Sequence, residues 1–213
     1  MRLASQVCLA AVFLTGTAVL AQDIQPYQPQ PRTGYDSTYR KHFGFYIRPD
    51  LGFGYLTSTE SNVTISGLSG LAGVAIGGAI QENSILAVHI IDAVAQNPTV
   101  SSGSFSATAN DTMVTLWGIG PQYTYYFMPS NMYLSTTLAL TRLHSSSGSS
   151  SGDSDWGIGT RIAVGKEWWV GDHWGLGVVG HLSYSSNQDP VAGGGSNTLT
   201  TWTFGAAFSA TYN

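Results

Sequence analysis

Six ionisable side chains along the chain share one property: each falls on a strand face otherwise built mostly of small or weakly polar residues. They are Arg48, Asp50, His89, Arg161, Glu167 and His181. On an extended strand the side chains alternate between faces, so residues two apart look the same way. Arg48 and Asp50 then share a face with Gly52 and Gly54, His89 with Ala87, Arg161 and Glu167 with Ala163 and Gly165, and His181 with Val179 and Ser183. Charges on a face that is otherwise small need partners, so the expected chemistry is an internal salt-bridge network that holds an interior together. Lining a conduction path is the functional alternative. His181-Leu182-Ser183 adds a second possibility, a base and a nucleophile side by side on one strand face. Such a pair needs a carboxylate to orient the histidine, and beyond Ser183 Asp189 is the only acidic side chain. No metal-ligand cluster and no phosphate-binding glycine loop accompanies these residues, so no cofactor and no catalytic set is inferred; His181 and Ser183 stay an alternative only.

The elements that carry them read as strands throughout. The plainest is Thr201–Tyr212, where Trp202, Phe204, Ala206, Phe208, Ala210 and Tyr212 alternate with Thr201, Thr203, Gly205, Ala207, Ser209 and Thr211. This uncharged run has the length of a tilted membrane-spanning strand. Seven earlier segments repeat the pattern, at about Phe43–Leu56, Leu68–Ile80, Ser84–Ala95, Trp117–Phe127, Leu134–Thr141, Ile158–Glu167 and Trp174–Tyr184. Their heavy faces carry Phe53, Tyr55, Trp117, Tyr123, Tyr125, Phe127 and Trp174, which with Trp202, Phe204, Phe208 and Tyr212 form the expected lipid-facing aromatic set. Pro49 predicts a bulge or weak pairing in the first strand, and Asp92, on an apolar parity, predicts a bulge or the end of the third. Polar loops are expected over Thr57–Gly67, Gln96–Asp111, Arg142–Asp155 and Ser185–Asn197, alternating with short turns at Gln81–Asn83, Met128–Asn131 and Gly171–His173. The long loops carry Glu60, Asp111, Asp153, Asp155 and Asp189 against Arg142, a surface for cations or a ligand if it is more than solvated loop.

Composition decides which face points where. Only 9% of the 213 residues are charged, while 43% are hydrophobic, against about 25% charged in an ordinary soluble domain. A soluble barrel with its heavy face inward would show water an outer surface poor in Lys and Glu, and its interior would have no room for the rings. Turning the heavy face to lipid and the small face inward resolves both, and closure of the sheet pairs every backbone amide. Net charge is −4, which gives a nucleic-acid partner no electrostatic support. The N-terminal residues 1–21 read as a cleaved secretory signal, with Arg2, an apolar run and Val19-Leu20-Ala21 before the cut. Cys8, the only cysteine, lies in that signal, so the mature chain is expected to have no disulfide, thiol nucleophile or cysteine-bound metal. Residues 22–42, rich in Pro and Gln, read as a linker, with Arg40-Lys41-His42 as its solvated end or, alternatively, a docking element, and 43–213 as the barrel.

Signal, alternating short and long connections, eight dyad strands and an aromatic final strand together resemble the small bacterial outer-membrane barrels of the OmpA-like and OmpX-like type. The resemblance spans about Phe43 to Asn213 and is architectural. It implies an all-β fold, an eight-stranded antiparallel up-and-down transmembrane barrel with periplasmic turns and extracellular loops, in the outer membrane of a Gram-negative bacterium. It further implies contact with outer-membrane lipids and lipopolysaccharide, recognition of the final strand by the barrel-assembly machinery, and a monomer. Tyr212 is followed by Asn213, whereas that family's last strand normally ends on the aromatic residue. His181 and Ser183 resemble the His-x-Ser pair of lipid A deacylase barrels, but the glutamate which that family places downstream is absent. The expected role is structural or surface-interacting, with a narrow pore or lipid A hydrolysis as alternatives.

Overall fold

Alternation of bulky and small side chains leaves each strand with two different faces, and a sheet can satisfy both by curling until the small faces meet. In the computed structural model, which describes residues 40–190 and 194–213, the chain does this. Eleven strands follow one another: β1 (Phe45–Glu60), β2 (Val63–Gln81), β3 (Ser84–Gln96), β4 (Thr99–Ser102), β5 (Phe105–Thr108), β6 (Thr112–Phe127), β7 (Met132–Ser147), β8 (Ser150–Asp153), β9 (Gly157–Trp169), β10 (Trp174–Pro190) and β11 (Ser196–Tyr212). Eight of them, β1, β2, β3, β6, β7, β9, β10 and β11, pair antiparallel in a ring that β1 closes by pairing with both β2 and β11. The short strands extend this wall: β4 pairs β2, β5 pairs β4, and β8 pairs β7. The expected signal and most of the expected linker lie outside the described residues.

Register fixes the shape. Paired residues lead from Phe45 through Gly78, Leu86, Tyr123, Thr136, Ile162, Leu182 and Phe204 back to Tyr55, ten residues further along β1. For eight strands that stagger sets a tilt of roughly 43°, and ten tilted residues climb about 24 Å. Most of the path's outward residues are large and apolar. Aromatic rings stand near its two ends, among them Phe45, Phe127, Trp168, Trp174 and Tyr212 at one level and Tyr55, Trp117, Trp156, Tyr184 and Trp202 at the other.

Two expectations from sequence are corrected, and at Pro49 the weak pairing expected there is found. The four polar stretches are largely strand. Across Thr57–Gly67, β1 and β2 continue until only Ser61 and Asn62 remain as a turn, Ser61 taking a positive φ of 51°. The stretch after Gln96 folds into the β4–β5 hairpin, the one after Arg142 into the end of β7 and β8, and Ser185–Asn197 mostly into the ends of β10 and β11. Asp92 marks neither a bulge nor a strand end: β3 pairs through it, with Ala72 on one side and Trp117 on the other. The bulge lies instead between Ala79 and Gln81. At Pro49 the ladder to β11 is interrupted across Arg48 and Pro49, yet the register is unchanged on either side, so the proline weakens pairing without a slip.

The turns at the opposite end are short and use residues that tolerate a left-handed backbone. Asn83 closes β2–β3 at φ 62° and Asn131 closes β6–β7 at φ 53°. Inside, two apolar layers form. One, nearer these turns, contains Tyr46, Ile85, Tyr126, Tyr133 and Val179. The other, nearer the hairpin end, contains Leu56, Leu71, Val114, Leu116, Leu143 and Leu199.

Candidate functional site

The barrel interior holds every ionisable residue expected there, and all six are buried: Arg48, Asp50, His89, Arg161, Glu167 and His181. They do not form one network. Four converge between the two apolar layers. Arg161 Nη2 lies 3.4 Å from Asp50 Oδ1 and 3.3 Å from His181 Nδ1, and its Nη1 lies 3.5 Å from His89 Nε2. His89 Nε2 also faces Asp50 Oδ2 at 3.8 Å. The other His89 nitrogen, Nδ1, accepts the Gln122 amide at 2.9 Å and sits 3.0 Å from Thr137 Oγ1. Guanidinium only donates, so His181 Nδ1 is an acceptor and its ring proton is on Nε2. Because His89 Nδ1 accepts, its proton is on Nε2 and faces Asp50, so the carboxylate lies between a guanidinium and an imidazole N–H while the same arginine donates to His181.

Arg48 reaches this cluster only through Gln122, whose amide also donates to His89, and Glu167 stands apart from it. Among the described residues neither makes an ion pair. Arg48 Nη2 donates to Gln122 Oε1 at 3.3 Å, and the guanidinium lies over the Tyr133 ring, 4.5 Å from its centroid. A cation over an aromatic face gains electrostatic attraction from the ring quadrupole. Glu167 Oε1 accepts from Thr211 Oγ1 at 2.7 Å and Tyr126 OH at 3.2 Å, while its Oε2 has no protein partner. Sequence reasoning missed these tyrosines. Tyr46 and Tyr126 fall on inward parity and Tyr133 opposes Gly165, where the ring takes the place a Cβ would fill. The signal was available: a glycine on the inward face directly across from a tyrosine.

Above the Arg161 cluster lies a small cavity of about 20 Å³, with Arg161, His181, Ser183 and Thr203 on one side and Leu71, Ala93 and Leu116 on the other. That is room for about one water. Ser183 and His181 share this interior, but the histidine's Nδ1 faces a guanidinium where a nucleophile–base pair needs a carboxylate. Asp189 is at the far end of β10, paired with Asn197. The constellation for acyl transfer is therefore not assembled.

The expected aromatic set points away from the interior. Phe53, Tyr123, Tyr125, Phe127, Trp174, Trp202, Phe204 and Phe208 are exposed. Tyr55, Trp117 and Tyr212 are half-buried against rings on the same surface: Tyr55 against Phe204 at 5.7 Å, Trp117 against Trp156 at 5.0 Å, Tyr212 against Trp174 at 5.3 Å.

Arg40, Lys41 and His42 correct another expectation: they are not a solvated linker end. His42 is fully buried, stacked on Tyr126 at 3.6 Å, with Nε2 2.7 Å from Asn131 Oδ1 and Nδ1 accepting from Asn213 Nδ2 at 2.6 Å. Lys41 Nζ donates to Glu82 Oε2 at 3.0 Å, and Arg40 reaches Gly171 O and Asp172. Three consecutive residues thereby touch all three short turns. Burial lowers the His42 pKa to about 4 from an ordinary 6.5, with the Arg48 charge adding to the effect against the opposing bonds from Asn131 and Asn213.

No family model matches this chain, and no curated protein matches it in sequence. Solved structures do. Neisserial surface protein A is 19% identical over 79% of this chain and 96% of its own, with a TM-score of 0.52. The outer membrane protein OprG from Pseudomonas aeruginosa is 13% identical over 81% and 98%, with a TM-score of 0.47. Ail, the attachment invasion locus protein of Yersinia pestis, is 8% identical over 78% and 99%, with a TM-score of 0.42. At 19% identity the likeness to neisserial surface protein A is one of fold alone, the closed eight-stranded antiparallel barrel.

Proposed function

We propose that this chain is an integral outer-membrane protein of a Gram-negative bacterium, a sealed barrel that anchors and displays its outer hairpins for interaction at the cell surface. The observation that carries the reading is the uncovered apolar belt. Leu51, Phe53, Leu68 and Phe208 are each at least 70% exposed, in a band about as tall as the hydrocarbon region a membrane barrel spans. In water such a continuous band is an aggregation surface, whereas in lipid it is the solvent-facing side. By analogy with outer-membrane barrels, the short turns and the His42 strap face the periplasm and β4, β5 and β8 face outside. The barrel-assembly machinery is the proposed reader of β11, lipopolysaccharide the proposed lipid neighbour, and the monomer the proposed state.

The contents of the lumen support the sealed reading. An eight-stranded interior is only wide enough for side chains, and here two apolar layers bracket the Arg161 cluster. The test is refolding of the full chain into lipid vesicles, followed by planar-bilayer recording. The expected outcome is a heat-sensitive gel-mobility shift with no discrete conductance steps. Discrete steps would refute the sealed lumen, and a monomer soluble in the periplasmic fraction would refute the membrane reading altogether.

A further inference from the structure

The wall rises furthest above the upper aromatic level on one side, where β10, β11, β1, β2, β4 and β5 lie edge to edge. Their outward residues come into register as rows. One row runs Ser186, Thr200, Thr59, Thr64, Ser101, Ser106, each directly paired with the next. Every position is a hydroxyl. Thr59 Oγ1 and Thr64 Oγ1 are 3.1 Å apart, and Ser101 Oγ and Ser106 Oγ 3.2 Å apart, so the hydroxyls already bond one another in pairs. The row beneath begins with Tyr184 and Trp202, whose ring centroids are 4.8 Å apart, and continues through Thr57, Ser66, Thr99 and Thr108. Neither row contains a charged residue. Across the barrel the corresponding outer surface is ionic: Asp153 binds His144 Nδ1 at 2.9 Å and Arg142 Nη2 at 3.5 Å.

From this asymmetry we infer that the six-strand wall is a docking surface for the saccharide head of an outer-leaflet glycolipid. The inference rests on the outer-membrane reading above. Hydroxyls spaced about 4.8 Å across strands, in rows about 7 Å apart, offer alternating donors and acceptors on a flat grid. A sugar ring presents the same chemistry, hydroxyls at its rim and apolar C–H faces. Chains of hydroxyls polarise one another, so the rows gain from being extended by a partner's hydroxyls. Tyr184 and Trp202 supply an apolar platform with a polar tip at the foot of the grid, where a C–H face would rest. Continuity selects the source. The rows begin at the aromatic level that closes the lipid belt and climb from there, so the molecules beside them are the lipids whose tails cover Phe53 and Phe204. Phosphate heads would call for the basic residues that these rows lack. Neutral sugars attached beyond the lipid head match them.

The full chain is refolded into phospholipid vesicles that contain either lipid A with its core oligosaccharide or lipid A without it, and thermal unfolding is followed by gel mobility. Binding well above Kd predicts a melting temperature higher by about 5 °C or more with the core sugars present. The variant Thr59→Val/Thr64→Val/Ser101→Ala/Ser106→Ala should insert yet lose that difference. The milder Thr59→Val/Thr64→Val should lose about half of it if the bonds contribute evenly. Arg142→Gln on the opposite wall should keep it. Equal melting temperatures of the wild-type chain in the two vesicles, or a full difference in both wall variants, would overturn the inference alone. Failure of the wild-type chain to insert into any vesicle would refute the membrane reading and this inference with it.

Discussion

Replacing Arg161 with methionine should unfold the barrel more readily by about 3–5 kcal/mol, the usual result of stripping one partner from a buried pair. Arg161 is 5% exposed and Asp50 6%. Without the guanidinium, Asp50 Oδ1 loses its contact at 3.4 Å, leaving the carboxylate to His89 at 3.8 Å. His181 Nδ1 loses its donor at 3.3 Å in the same step. Asp50→Asn should be costly for the mirror-image reason, because Arg161 keeps its charge and loses its anion. The double variant removes both charges, so its cost should fall well below the sum, with a coupling of about 2–3 kcal/mol. Urea unfolding in lipid vesicles, read by tryptophan fluorescence and by gel mobility of unboiled samples, supplies the cycle. Costs that add within about 0.5 kcal/mol would mean that the two charges are independently solvated, and the buried cluster would be refuted.

Two further outcomes are expected. His42 is held neutral in the docked strap, with a pKa of about 4 against 6.5 when released. Its docking is therefore fully stable above pH 6.5 and weakens as pH falls toward 4, by about 2 kcal/mol between pH 8 and pH 5; the amide-exchange protection factors at residues 40–44, taken against the intrinsic rate at each pH, should fall over that window in the wild type and not in His42→Gln. Gly165→Ala places a methyl on the Tyr133 ring, so it should destabilise by about 1–3 kcal/mol. Tyr133→Leu in the same chain should recover part of that loss in the same urea assay.

Much of the barrel was legible because period-two contrast is strong wherever one face meets lipid and the other the lumen. Trp202, Phe204 and Phe208 against Thr203, Ala207 and Ser209 show it, and so does the inward set from Arg48 to His181. Contrast vanishes where both faces are polar. Thr57, Ser58, Thr59 and Glu60 continue β1, but their side chains differ too little for alternation to appear, and the stretch reads as loop. Asp92 misled for the opposite reason: its type breaks a pattern that its backbone keeps. The grouping inside the lumen was hidden as well. Parity tells which residues face inward, while which of them meet depends on the ten-residue stagger, and that emerges only from the closed register. His42 carried no local signal, because its partners Asn131 and Asn213 lie 89 and 171 residues away.

The strap from Arg40 to His42 also determines how the barrel bears load. Tension arriving along the chain from its N-terminal side would, without the strap, peel β1 from its neighbours one pair at a time, starting at Phe45. Instead the pull is divided among Glu82, Asn83, Asn131 and Asp172, on three separate hairpins, and Asn213 at the end of the seam. Peeling becomes shearing, in which many bonds must fail together, and the closing seam between β1 and β11 is shielded from the force that would otherwise open it first.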